Sequence, residues 1–209
     1  MNDTPEKWVA TYEATTPEQL VDAYRCWADE YDKDTCQGMG YVGPGVAANL
    51  LDRYLESPKS RVLDAGCGTG LVGQAMSELG YSRIEAMDFS HDMLKVAEAK
   101  DVYGDIHQAD MNRKLSFDDN SYDATICVGA LTYAHVGPEV FDEFVRITRP
   151  GGFICFTVRD GAYQEYGYRK RMVSLEAGNA FQLKEMVDTD YLRKEDVTAK
   201  YCIYEVMES

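Results

Sequence analysis

One segment constrains this chain more than any other: Val62-Leu63-Asp64-Ala65-Gly66-Cys67-Gly68-Thr69-Gly70. The short apolar run reads as a strand. The three glycines at two-residue spacing let the backbone turn tightly and let a ligand approach it closely. Leu71, Val72, Ala75, Met76 and Leu79 then mark one helical face, stopped at Gly80. Strand, glycine loop and helix together form the first half of a βαβ unit. The alternation continues, with strands expected over 83–88, 103–110, 122–128 and 153–158 and helices near 90–97 and 141–148. A further helix is expected over 163–178. Strands around 181–187 and 201–205 make a terminal antiparallel hairpin joined through 193–198. Such a chain folds as an α/β protein with a doubly wound, mostly parallel seven-stranded sheet, and its ligand sits at the carboxyl ends of the strands.

Before the glycine loop the pattern is helical. Residues 1–16 are polar and expected to fray. Thr16 can cap a helix with Pro17 in its first turn and Gln19 completing a capping box. Leu20, Tyr24, Trp27 and Tyr31 form its apolar stripe, with Tyr24 and Trp27 read as core. Cys36 to Gly45 reads as a loop and Val46 to Leu55 as a second helix. The organisation is therefore an N-terminal helical extension, 1–56, serving as a lid, and a core domain, 57–209.

Composition excludes several functions. With 21 basic against 36 acidic residues the net charge is −15, which argues against nucleic acid and anionic membrane surfaces. No apolar run approaches the roughly 20 residues that span a bilayer, and the start of the chain lacks a secretory apolar region. The six cysteines are scattered, without metal-ligand or redox spacing. Reduced thiols in a cytoplasmic protein, and no metal site, are expected.

The glycines admit two cofactors. Gly68-Thr69-Gly70-Leu71-Val72-Gly73 also spells G-x-G-x-x-G, and Asp88 lies 20 residues beyond Gly68, the spacing of a dinucleotide site. Charge helps to decide between them. Asp64 ends the strand beside the loop, where a pyrophosphate would meet a carboxylate at close range. A ligand carrying an ammonium and a sulfonium, such as S-adenosylmethionine, gains from the same carboxylate. The register agrees, because the glycine directly after the strand is Gly66. Asp110, ending the third strand, can accept a hydrogen bond from an adenine amino group.

Val62 to Gly70 resembles motif I of the class I, seven-strand, Rossmann-like S-adenosylmethionine-dependent methyltransferases. Asp88-Phe89-Ser90 resembles that family's ribose-binding acid after strand two, and Ala109-Asp110-Met111 its adenine-binding segment. Arg149-Pro150-Gly151-Gly152 resembles its turn before strand five. More narrowly, Tyr31-Asp32, Val128-Gly129-Ala130-Leu131 and Thr157-Val158-Arg159 resemble the Williams–Beuren-region methyltransferase-like group.

The resemblance implies that Asp64 holds the methionine amino end and that Ala65, Gly66, Cys67, Gly68, Gly70 and Leu71 form the loop around the cofactor. Asp88 takes the ribose hydroxyls, flanked by Ser90 and Met93. Phe89 and Met111 cover the adenine whose amino group Asp110 accepts. Tyr31, Val128 and Gly129 close the methionine end. For Asp64 the other reading is a helix cap, for Asp88 a surface acid, and for Phe89 and Met111 plain core. Cys67 reads as packing, since methyl transfer needs no thiolate.

The acceptor side offers His135 after strand four as general base, or as a solvent-facing loop residue. Tyr41, Tyr133, Arg159 and Tyr163 are pocket candidates. The implied function is methyl transfer to a small-molecule acceptor. An NAD-dependent oxidoreductase and a non-catalytic S-adenosylmethionine-binding regulator are the rivals.

Overall fold

The structure is a computed structural model that describes residues 6–132 and 136–208. Its strands are β1 (Val62–Ala65), β2 (Ile84–Asp88), β3 (Asp105–Gln108), β4 (Tyr122–Leu131), β5 (Thr148–Val158), β6 (Phe181–Leu192) and β7 (Val197–Val206). They form one sheet in the order β3-β2-β1-β4-β5-β7-β6. The first five run parallel. β7 inserts antiparallel between β5 and β6, which is the expected terminal hairpin. Strand order reverses at β1, so a crevice opens between β1 and β4 at their carboxyl ends.

The helices are α1 (Glu6–Glu13), α2 (Pro17–Trp27), α3 (Gly43–Asp52), α4 (Leu71–Glu78), α5 (His91–Glu98), α6 (Val140–Ile147), α7 (Asp160–Glu165) and α8 (Tyr168–Ala177). Alternation along the central strands assigns the two faces. Val62, Ala124, Ile126 and Cys155 pack under Ala47 and Leu51 of α3 and Met76 of α4. Leu63, Cys127, Ile154 and Phe156 pack on Phe141 and Phe144 of α6 and Met172 of α8. Full burial of each large side chain contributes about 1.5–3 kcal/mol, so both faces of β1 and β4 must stay covered.

The N-terminal part departs from the sequence reading. Residues expected to fray contain α1. Thr16 caps α2 by accepting the Gln19 N–H at 3.3 Å, but Gln19 reaches back to the Thr15 N–H at 2.9 Å, one residue earlier than in a capping box. The expected loop at 36–45 is mostly helical. Lys33–Met39 is a π-helical segment ended by left-handed Gly40 (φ 69°), and α3 starts at Gly43, with Pro44 in a first turn that needs no N–H from it. Ala47, Ala48 and Leu51 are fully buried against the sheet. α3, expected within the N-terminal extension 1–56, thus packs with the core sheet.

Other differences are local. The expected helix over 163–178 is two helices, broken at Gly167 (φ 80°). Arg149 to Gly152, expected as a turn, forms a bulge within β5, where pairing jumps from Tyr122–Thr148 to Ala124–Phe153. No helix among the described residues is long and apolar enough to cross a membrane.

Candidate functional site

The glycine loop follows β1. Gly66, Gly68 and Gly70 have φ of 73°, 53° and 89°, a region that other residues enter only under strain. The N–H groups of Gly66 and Cys67 both donate to the Met87 carbonyl, at 2.8 and 3.0 Å. The loop is thereby tied to the end of β2.

Asp64 is fully buried beneath this loop. Its Oδ2 accepts the Tyr103 hydroxyl at 2.6 Å, while Oδ1 has no partner among the described residues. Burial pushes the carboxyl up to about 7, against the opposing pull of the Tyr103 hydrogen bond. The Tyr103 oxygen also accepts the Gly73 N–H at 3.2 Å. A Cβ on Gly73 would lie 2.2 Å from Tyr103 Cζ, so Gly73 exists to admit this ring. The glycine that completed the dinucleotide spacing therefore serves a tyrosine. Tyr103 was read only as the start of a strand. Its place under the loop had no sequence signal, because it depends on where β3 docks.

Above the loop lies a cleft of about 420 Å³, within the range of small-molecule and cofactor sites. Asp88 lines it. Its Oδ2 accepts the Gly68 N–H at 2.9 Å and its Oδ1 the Ser90 N–H at 2.8 Å. Each oxygen keeps a second lone pair for a donor in the cleft. Burial raises its carboxyl pKa, opposed by these same N–H groups.

Most residues expected at the cofactor line this cleft: Gly66, Cys67, Gly68, Leu71, Asp88, Phe89, Met93, Asp110, Met111, Val128 and Gly129, with Tyr31 from the N-terminal part; the acceptor-pocket candidate Tyr41 lines it too. Phe89 is half exposed and is not core. Met111 lies under the loop, its Cε 3.0 Å from where a Gly66 Cβ would stand. Asp110 also accepts the Asn112 N–H at 2.9 Å and pairs with Arg113 at 3.3 Å. Cys67 is buried, and burial holds its thiol well above the usual range, as a packing residue requires.

Other expected residues lie elsewhere. Asp64, Ala65, Gly70 and Ser90 support the loop without lining the cleft. Arg159 and Tyr163 are corrections: neither lines it, and Tyr163 lies instead under the Lys200 ammonium. Tyr133 and His135 lie outside the described residues. Tyr24, read as core, lines the cleft together with Thr15, Thr16 and Leu20. These roof residues were missed because α2 spends one face on the cleft, and periodicity does not say what a face covers.

The roof is tied down beside the loop. Asp32 Oδ1 accepts the Thr69 hydroxyl at 2.5 Å, and Oδ2 accepts Lys100 at 2.5 Å. The far wall comes from β4. Its pairing to β5 passes from Cys127–Phe156 to Leu131–Val158, leaving two extra residues on β4. That bulge turns Gly129 into the left-handed region (φ 87°) and into the cleft. Bulges recur beside functional sites for this reason.

Comparison with known proteins agrees with this geometry. Residues 63–156 match the family described as a methyltransferase domain. The human methyltransferase-like protein 27 is 31% identical over 144 residues, covering 68% of this chain and 58% of the relative. The ubiquinone biosynthesis O-methyltransferase of Xanthomonas campestris pv. campestris is 26% identical, covering 73% and 64%. The chain thus spans less than two thirds of either relative. A solved S-adenosylmethionine-dependent methyltransferase from Mesorhizobium loti shares the fold at a TM-score of 0.60 and 18% identity, covering 78% of this chain and 100% of that one.

Proposed function

We propose, from the premise that this chain belongs to the class I S-adenosylmethionine-dependent methyltransferases, that it moves a methyl group from that cofactor to a small-molecule acceptor in the same cleft. The observation that carries this reading is Asp88, a carboxylate fixed by two backbone N–H groups with spare lone pairs toward the cleft. Such a group suits the two ribose hydroxyls. The buried, unpartnered Asp64 oxygen fits a cationic ligand above the loop better than a pyrophosphate.

The bound cofactor supplies a methyl group already activated on a sulfonium. The chain's own residues bind and align. Asp88 holds the ribose, Phe89 and Met111 cover the adenine, and Asp110 accepts from its amino group. The glycine loop offers backbone to the methionyl portion, and the Asp64 carboxyl lies beneath it, gaining negative charge as pH rises through about 7. Residues 6–32 close the cleft as a lid, with Tyr24 and Tyr31 excluding water over the reacting centre. Alignment and water exclusion are the main levers for such a transfer. All six cysteines are free, which supports a reducing, cytoplasmic setting.

Calorimetry with S-adenosylhomocysteine and NADH, followed by a metabolite panel assayed for S-adenosylhomocysteine release, tests the proposal. Binding of the first ligand and release with at least one acceptor are expected. Binding of NADH alone would overturn it. Binding of S-adenosylhomocysteine with no turnover across the panel would favour a regulatory binding protein.

A further inference from the structure

Beneath the glycine loop, one hydroxyl reaches the site without reaching the cleft. Tyr103, in the segment before β3, donates to Asp64 Oδ2 at 2.6 Å. Asp64 is fully buried, and its Oδ1 has no partner among the described residues. The loop and the start of α4 are shaped around this tyrosine. A Cβ on Gly70 would stand 3.1 Å from Tyr103 Cε2, and one on Gly73 2.2 Å from its Cζ. The Gly73 N–H donates to the phenol oxygen at 3.2 Å. Ring and hydroxyl are both fixed, and a fixed donor orients the carboxyl that accepts from it. Tyr103 does not line the cleft, so it acts on a ligand there through Asp64.

The charge balance at Asp64 shows what this donor does. Burial opposes ionisation most strongly, and the Asp88 carboxylate opposes it too; the Tyr103 hydroxyl and the Gly73 N–H favour it. The Cys67 and Cys127 thiols feel the Asp64 charge, and burial holds both protonated. Lys100 acts on Cys67 and pairs with Asp32. Burial and the Asp64 carboxylate hold the Tyr103 phenol far above its usual range, so it remains a donor across neutral pH. A hydrogen bond to the charged form of a carboxyl favours that form. With this bond Asp64 titrates at about 7. Without it the carboxyl would be mostly neutral at pH 7, and a cationic ligand above the loop would meet less charge.

We propose, resting on the methyltransferase reading, that Tyr103 is a positioning residue for the cofactor: its hydroxyl orients the buried Asp64 carboxyl and keeps it ionisable beneath the glycine loop, so that the site selects a ligand with a cationic amino-acid end. Asp64 gives up its proton to water as that end binds, and Tyr103 keeps its own.

Calorimetry on the full chain from pH 5.5 to 8.5 compares S-adenosylhomocysteine with 5′-methylthioadenosine, which keeps the adenosine and the thioether but lacks the ammonium. Asp88 serves the ribose of both, so its titration cancels in the ratio of their affinities. In the wild type the preference for S-adenosylhomocysteine should rise at least about fivefold over this range, with half the rise reached near 7. Tyr103→Phe keeps the ring against Gly73 and removes the donor. Its rise should move up by at least about half a pH unit, and the preference at pH 6.5 should fall at least about twofold. Its affinity for 5′-methylthioadenosine should stay within about threefold of wild type. Equal loss for both ligands, as a merely loosened loop would give, or an unmoved profile overturns the proposal. If the variant fails to fold, NMR on the wild type decides: the Tyr103 Cζ carbon should titrate with the same midpoint as the preference, and a shift independent of pH overturns the proposal. A wild-type preference that does not vary with pH also overturns it, and leaves the methyltransferase reading standing. Binding of neither ligand by the wild type overturns both.

Discussion

The two ends of the cleft are built differently. At the cofactor end, Asp64, the glycine loop, Asp88 and Asp110 come from three consecutive strand ends, and their bonds stay within the β1–β3 segment: Gly66 and Cys67 to Met87, Asp88 to Gly68 and Ser90. At the roof and acceptor end, the contacts join distant parts of the chain. Tyr41 meets Tyr191 across 150 residues, and Asp32 meets Thr69 across 37. The first end is part of the sheet and stands or falls with it. The second is assembled by docking, and under the lid proposal it is the end that opens. Substitutions at the first should therefore cost stability or cofactor affinity outright, whereas substitutions at the second should act on exchange and selectivity.

The largest expected effect is on pH dependence at the cofactor end. Asp64 titrates near 3.8 when unfolded and near 7 when folded, so the folded state holds the extra proton between those values. Its stability contribution is complete below pH 4 and is lost as pH rises through 7, on the order of 4 kcal/mol in all. Tyr103 and Asp88 are the titratable groups that act on it. Asp88, also raised, adds a slope of the same sign. Asp64→Asn should flatten the fall in denaturant midpoint between pH 5 and 8. A variant with the wild-type slope would show that Asp64 stays ionised.

Gly73→Ala comes next. Its methyl would meet the Tyr103 ring at 2.2–2.4 Å, an overpacking that costs about 1–3 kcal/mol. Thermal unfolding should drop by several degrees, and Tyr103→Leu in the same chain should recover part of the loss. Additive losses would mean that the ring and the glycine are independent, and that the loop is less tightly built than its contacts indicate.

The same division explains what the sequence revealed. Residues 62–111 carry their information locally: the strand, the positive-φ glycines and the acids at successive strand ends are all readable from spacing. Nine predicted residues of this stretch line one cleft as a result. The doubly wound order and the hairpin followed from periodicity. Tyr103 and the roof residues Thr15 and Leu20 were not legible, because their roles depend on which surfaces meet after folding. Arg159 and Tyr163 were misplaced for the converse reason: following strand five put them near the site in sequence, but the start of α7 carries them outside the cleft. The helical content of 33–45 was hidden by its glycines, which suggested a loop while Gly40 ends a π-helical segment and Gly43 opens α3.

Asp88→Ala reads cofactor affinity most directly. It removes the acceptor proposed for the ribose while leaving the buried faces of the sheet untouched. S-adenosylhomocysteine affinity should fall more than tenfold, at least about 1.4 kcal/mol, by calorimetry on the full chain. Wild-type affinity would take Asp88 out of the cofactor site, and the cofactor end would then be a scaffold only.

The smallest effect tests the roof. Asp32 bridges Thr69 of the glycine loop and Lys100 after α5. Lys100 is 17% exposed and Asp32 37%, so solvent screens the pair, and such partly exposed bonds contribute about 1 kcal/mol or less. Asp32→Asn keeps one acceptor and the shape but loses the charge that Lys100 meets. If residues 6–32 are a lid, the closed state loses that bond and the open state loses nothing. Release of S-adenosylhomocysteine should then speed up two- to fivefold in stopped flow, with its association rate nearly unchanged and the unfolding midpoint within experimental scatter. The same variant discriminates the alternatives, because a static roof would show equal release rates and a structural tie would show a lowered midpoint instead. The acceleration should also be reproduced by Lys100→Met, since both substitutions remove one end of the same bond.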